Sequence, residues 1–287
     1  MTIFNMGSIN IDHIYMMPHL VAAGETLAAS RYQAALGGKG ANQSIAIARA
    51  GSHVVHGGMI NISDEDWLDS MAEAGVDIRH IIRGDDVPTG HAIVAVDEEK
   101  GENQIILSPS ANAAIPADLI DDILEGAQPS DWALAQNETN RTADFLKAAK
   151  EKGLKICYSA APFVAEVTAS LLPIVDLLIV NEIEARDLKT HLGKDIDVDH
   201  LIITKGADGA DYIAQGEIVH IPAVPAEAVD TTGAGDTYLG YVLAGLDQGM
   251  SMTDAMRLAS QAAAFQVARH GASEAIPKRD DLDEAME

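Results

Sequence analysis

Val229-Asp230-Thr231-Thr232-Gly233-Ala234-Gly235-Asp236 runs directly into Thr237-Tyr238-Leu239-Gly240-Tyr241-Val242-Leu243-Ala244, a turn almost free of side chains followed by the first turns of an apolar helix. Gly233, Ala234 and Gly235 let backbone N–H groups approach a ligand closely. At a helix N-terminus such groups are unpaired and share the positive end of the dipole, which makes an anion cradle. Asp236 lies inside that cradle. It is either a cap favoured by the dipole or a base placed beside a phosphoryl group in transfer.

Outward from this helix, short apolar runs at residues 3–9, 53–59, 132–136, 154–158, 177–180 and 201–204 read as strands. Helical patterns at 41–50, 65–74, 117–124, 139–152 and 182–192 alternate with them, four closed by Gly51, Gly75, Gly153 and Gly193. The alternation predicts a three-layer α/β/α fold with a mainly parallel central sheet, in which ligands bind at the carboxyl ends of the strands. Residues 11–36 and 88–108 break the pattern. Their strand-like pieces at 28–34, 91–96 and 104–107, with a turn at 98–102, are expected to form a small β-sheet lid inserted into a single domain spanning 1–287. Ser251 with Asp254 reads as a capping box opening a helix at 253–269, and the tail 280–287 as a solvated acidic end.

Composition narrows the function classes. Of the 287 residues 47% are apolar, enough for a sizeable core. Lys and Arg number 19 against 44 Asp and Glu, a net charge of −25, which argues against nucleic acid and anionic membrane as partners. Cys157 is the single cysteine, so neither a disulfide nor a cysteine metal site is available. No leader-like start and no membrane-length apolar run is present, and the expected location is the cytoplasm.

Two further stretches carry polar groups in unusual company. Gly37-Gly38-Lys39-Gly40-Ala41-Asn42-Gln43 looks like a phosphate loop, but Gly40 follows the lysine where a Walker sequence needs Ser or Thr. Its glycines allow close backbone approach, and Lys39 and Asn42 offer donors to a hydroxylated ligand. Gly7-Ser8-Ile9-Asn10-Ile11-Asp12 reads as a strand end with Asn10 and Asp12 on one side, suited to sugar hydroxyls or, more simply, to a turn. Other patterns fail. The run Asp195, Asp197, Asp199 continues with His200 and Gly206 where a calcium loop needs Gly and Glu. His53 and His56 face opposite ways on a strand, and no Gly-x-Ser-x-Gly elbow exists.

Taken in order, these stretches resemble the ribokinase-type sugar kinases of the PfkB carbohydrate kinase family, as does Ser110-Ala111-Asn112-Ala113-Ala114-Ile115; the likeness runs over nearly the whole chain. The resemblance implies an ATP-dependent kinase that phosphorylates a primary hydroxyl, with D-ribose giving D-ribose 5-phosphate. Another pentose, deoxyribose, a hexose, a nucleoside, or a binding regulator without turnover are the alternatives. It implies that Asn10, Asp12, Gly38, Lys39, Asn42 and Glu138 hold the sugar and that Asp236 is the base. The N–H groups of Ala234, Gly235 and Asp236, following Gly233, would form the anion hole. Asn181, Thr204, Lys205, Gly206, Ala207, Asp208, Gly209 and Gly235 would line the ATP site, and Glu184 would organise Mg²⁺ through water. Asp230, Thr232, Gln266, Arg269 and Gly271 match a monovalent-cation (K⁺) loop, with Ala275 standing where the family often has a polar residue. The chain looks shorter than the family after Ile60 and between Leu192 and Leu201. Exposed edges on the lid predict a homodimer through it.

Overall fold

The structure, a computed structural model, describes residues 1–284. Strands β1 (Thr2–Met6), β4 (His53–Asn61), β5 (Asp77–Gly84), β8 (Trp132–Gln136), β9 (Lys155–Ser159), β10 (Leu177–Asn181), β11 (His200–Thr204), β12 (Ala210–Ala214) and β13 (Glu217–Ile221) form one sheet in the order β13-β12-β11-β10-β9-β8-β1-β4-β5. Seven of them pair parallel, and at one edge β12 runs antiparallel to both β11 and β13. Successive residues of the central strands go to opposite cores. Ile3, Trp132, Leu134, Leu177 and Ile179 face one layer, and Phe4, Met6, Ala133, Leu178 and Val180 face the other. Burial on both faces is why these strands read as continuous apolar runs.

Helices α1 (Lys39–Arg49), α2 (Asp69–Glu73), α7 (Ala234–Asp247), α8 (Met252–Val267) and α9 (Arg279–Glu284) cover the first face; α3 (Leu119–Ile123), α4 (Thr142–Glu151), α5 (Ala165–Leu171) and α6 (Glu182–Leu192) cover the second. The expected three-layer fold is therefore present. Strands β2 (Asn10–Met17), β3 (Arg31–Gly37), β6 (Gly90–Asp97) and β7 (Asn103–Ser108) make a separate four-stranded sheet in the order β3-β2-β6-β7.

Several expectations need correction. The first strand stops at Met6, and Asn10 and Asp12 belong to β2 of the small sheet. Their two-residue spacing still puts them on one face, opposite Gly37 and Ala35 of β3. The helix expected from residue 65 is a 3-10 segment, Ile62–Leu68, before the short α2; Asn61 starts it by accepting from the Ser63 N–H. The helix expected from 139 begins at Thr142, whose hydroxyl is drawn back to the Gln136 carbonyl at 2.7 Å. Helix α5 and strands β5, β12 and β13 escaped the periodicity reading. The last two are joined by Gln215 and Gly216, both at positive φ as a two-residue hairpin requires. The acidic tail is not wholly solvated, since α9 buries Leu282; residues 285–287 lie outside the described part.

Candidate active site

The chain leaves β1 toward β4 on one side, and later resumes at β8 on the other. This reversal leaves a crevice at the carboxyl ends of β1 and β8, where open α/β sheets bind ligands. The loop after β1 and the start of α1 meet there so closely that a Cβ on Gly40 would lie 2.5 Å from the Gly7 backbone carbons. Ser8 uses this closeness: its hydroxyl donates to the Glu138 carboxylate and accepts from the Gly40 N–H at 3.2 Å. The Lys39 N–H donates to the same Glu138 oxygen at 3.1 Å. Burial still raises the Glu138 carboxyl above its ordinary range, against the pull of Ser8 and Lys39.

Helix α7 brings Asp236 to the same crevice in its first turn. The carboxylate is buried and accepts from Gln43 Nε2 at 2.8 Å and Asn42 Nδ2 at 3.2 Å. Burial raises its pKa, opposed by the nearby Lys39 ammonium and then by the two amides. The Lys39 pKa is raised in turn, first by Asp236, then by Glu138 and Glu184, against its own burial. Asn42 Oδ1 is buried and has no partner in the protein, an acceptor aimed at nothing of its own.

The starts of α1 and α7 share a feature that sets them apart from α6 and α8. Ser251 caps α8, and Asn181 with Glu184 forms a complete capping box on α6. Helices α1 and α7 begin instead at Gly38 (φ 92°) and Gly233 (φ 76°) with no side-chain cap at all. Both glycines hold backbone that other residues enter only with strain. The Ala234 N–H is turned back to the Thr231 carbonyl at 3.3 Å, so of the three expected anion-hole donors only Gly235 and Asp236 lack a carbonyl behind them. An added Cβ on Gly235 meets nothing within 4 Å, so its backbone faces open space.

Asn10 and Asp12 reach the crevice from β2. Asn10 is buried with its Oδ1 taken by Asn112 Nδ2 at 2.7 Å, and the same Asn112 accepts from the Ile9 N–H at 3.0 Å. Burial, and then the charge of Glu138, pushes Asp12 up from 3.8 to about 6. On the far side Asn181 pairs with Thr204 across β10 and β11, so the α6 start and the turn at 204–209 lie side by side. In that turn Lys205 binds Asp211 at 2.6 Å, and Gly206 and Gly209 carry positive φ. Glu184 gives one oxygen to the Asn181 N–H at 2.8 Å, leaving the other for a ligand.

The loops at 230–233 and 266–272 also meet. Asp230 accepts from the Thr232 N–H at 2.9 Å and the Gly271 N–H at 3.1 Å, while Gln266 Nε2 donates to the Thr232 carbonyl at 2.9 Å. Gln266 Oε1 is buried with no partner. A spare oxygen beside a carboxylate and loop carbonyls suits a hard monovalent cation. Among the described residues no group of three or more His, Cys, Asp or Glu side chains could hold a metal ion.

The structure thus gathers Asn10, Asp12, Gly38, Lys39, Asn42, Glu138 and Asp236 around one crevice, with residues 181–184 and 204–209 on a neighbouring rim. Sequence reading missed Ser8, Gln43, Asn112 and Gln136 as site residues. Three of them lay inside quoted motifs, and the signal was there: a polar side chain among residues otherwise small or apolar.

Known proteins place this arrangement. Residues 2–279 match the pfkB family carbohydrate kinases. Ribokinase of Haemophilus influenzae is 32% identical over 100% of this chain and 98% of its own length. Ribokinase of Cryptococcus neoformans var. grubii, solved in complex with ADP, superposes with a TM-score of 0.86 at 30% identity, covering 99% of each chain. Arabidopsis thaliana ribokinase complexed with ribose and ATP gives 0.84 at 27% identity, covering 99% of this chain and 98% of that one. The chain belongs to the pfkB family of carbohydrate kinases. It is a sugar kinase, a phosphotransferase.

Proposed function

We propose that this kinase transfers the γ-phosphate of ATP to the primary hydroxyl of D-ribose, giving D-ribose 5-phosphate. The observation that carries the reading is Asp236: a buried carboxylate held by Asn42 and Gln43 at the uncapped start of α7, beside Lys39. The ribose and ATP found in the Arabidopsis relative support the choice of substrates. Asp236 accepts the proton of the attacking hydroxyl, and the N–H groups of Gly235 and Asp236 face the charge that develops on the phosphoryl group. Asn10, Asp12, Lys39, Asn42, Glu138 and the Gly38 backbone orient the sugar, and the turn at 204–209 with Asn181 receives the nucleotide. Glu184 would hold Mg²⁺ through water, which neutralises phosphate charge when bound. Asp230, Gln266 and the carbonyls of Thr232, Arg269 and Gly271 would hold K⁺ behind the α7 start. A coupled ATP-consumption assay across pentoses, hexoses and nucleosides tests the reading. Turnover with ribose above all others is expected; preference for another acceptor overturns the ribose assignment, and no sugar-dependent turnover overturns the kinase.

The small sheet acts as a lid carrying Asn10 and Asp12 over the sugar, and the raised Asp12 carboxyl gives it a pH signature. In the folded protein Asp12 keeps its proton up to about pH 6, against 3.8 when unperturbed. Its contribution to stability is therefore present at low pH and lost as pH rises through about 6. Sugar binding runs the other way, because the ionised form has both oxygens free to accept from hydroxyls and makes the stronger, charge-assisted bonds. The KM for sugar is expected to climb as pH falls below about 6, and Asp12→Asn to raise KM and flatten that dependence; a wild-type KM flat from pH 5 to 8 would refute it.

The lid also exposes Ile93, Ile105, Ile106 and Leu107, with Ile106 at 66%. Strand β7 is an edge with apolar residues on both faces, and such edges pair with another chain unless protected. A homodimer joined through the lids, working in the cytoplasm where ATP is available, fits this surface. Ile106→Glu is expected to halve the mass seen by light scattering. A wild-type monomer at micromolar concentration would rule the dimer out.

A further inference from the structure

Behind Asp236 runs a line of buried side-chain amides whose direction is set at both ends. The ionised Asp236 carboxylate only accepts, so Gln43 must turn its NH₂ toward it, at 2.8 Å; the same NH₂ reaches Ser159 Oγ at 3.3 Å. Gln43 Oε1 then faces away and accepts from Gln136 Nε2 at 2.7 Å. The second Gln136 donor goes to Asn5 Oδ1 at 2.9 Å. Asn5 Nδ2 in turn donates to the Gly40 carbonyl at 2.9 Å and to Ser44 Oγ at 2.8 Å. A backbone carbonyl also only accepts, so the far end orients Asn5 independently and agrees with the near end. Ser44 continues to His56 Nδ1 at 2.8 Å. Burial pushes His56 down to about 4, so the line ends on a neutral ring at physiological pH. Asn5, Gln43, Gln136, Ser44 and His56 are all buried, out of competition with water.

We propose that Gln136 is a positioning residue that acts through Gln43, locking the Gln43 amide with its donors on Asp236 and so keeping that carboxylate ionised and aimed at the sugar. A Gln43 free to turn over would present Oε1 to the carboxylate, replacing an attraction by a repulsion at the same distance. A lost donor disfavours the charged form and raises its proton affinity. The charged groups facing Asp236 are Lys39 from α1 and Glu138 from the loop after β8; Glu138 in turn acts on Asp12, and Glu184 on Lys39. Changing Gln136 to a neutral residue alters none of these charges.

The inference rests on Asp236 being the base, and its test separates the two. Gln43→Met, Gln136→Met and the double variant form a cycle, read by the ¹³C titration of the Asp236 carboxyl and by the acid limb of kcat. Each single change is expected to move the Asp236 titration upward, Gln43→Met by about one pH unit, a tenfold change in proton affinity. In the Gln43→Met background Gln136→Met should add nothing, because its route is gone. An equal shift from Gln136→Met in both backgrounds, or none in either, overturns the proposal. A shifted carboxyl titration with an unshifted kcat profile upholds the positioning and removes Asp236 as base. Should Gln136→Met not fold, Gln136→Leu enters the same cycle, since it likewise removes the donor to Gln43 Oε1 and adds no charge beside Asp236.

Discussion

Asp236→Asn is expected to lower kcat by roughly 10²–10⁴-fold, the range that a positioned general base supplies. ATP binding should be largely unchanged, because the Asp236 side chain is held by Asn42 and Gln43 of α1 and not by the 204–209 turn. The geometry makes the substitution worse than a simple loss of basicity. Both carboxylate oxygens accept from amide NH₂ groups, Asn42 on one side and Gln43 on the other. An asparagine must point its own NH₂ at one of them, so one donor faces a donor. Rapid-quench or steady-state kinetics with saturating ribose measures the loss. A variant within tenfold of wild type would show that Asp236 does not take the proton.

The second large effect is expected at Gly40. A methyl group there lands on the backbone atoms of Gly7 and Ser8, which cannot swing aside as a side chain could. Forcing α1 away from β1 breaks the Ser8–Gly40 hydrogen bond and shifts Lys39 and Asn42 from the crevice. Gly40→Ala should cost about 3 kcal/mol, at the upper end of overpacking effects, or several degrees of Tm at roughly 2–4 °C per kcal/mol. KM for sugar should rise more than KM for ATP. Gly235→Ala is the contrast: nothing lies within 4 Å of its added Cβ, so Tm should hold while kcat falls as the methyl fills the space the phosphoryl group needs. A Gly40→Ala enzyme with wild-type Tm and KM would mean that the close approach of α1 to β1 is not required.

Much of this was legible in the chain because each element announced itself locally. Apolar runs marked β1, β4 and β8–β11, and glycines marked the helix ends and the two ligand-facing starts. What escaped had no local mark. Strand β5 buries only Ile81 among residues that include Arg79, His80 and Arg83, and β12 and β13 are half exposed, so none of them resembles the buried runs of the centre. Asn10 and Asp12 were placed on the correct face of the wrong strand, because a period of two survives a change of sheet. Gln136 lies 93 residues from Gln43 and was read as the end of a core strand. Only the packing of α1 against β1 and β8 shows that these two amides meet.

The bare starts of α1 and α7 have one more consequence for a protein of net charge −25. Two helix dipoles converge on a single crevice, and the field they make is short-ranged, while the acidic surface acts over the full Debye length of about 8 Å at physiological salt. A polyanionic nucleotide is thus repelled at a distance and attracted only at the threshold. Added salt screens the first effect more than the second, so association should quicken with ionic strength instead of slowing.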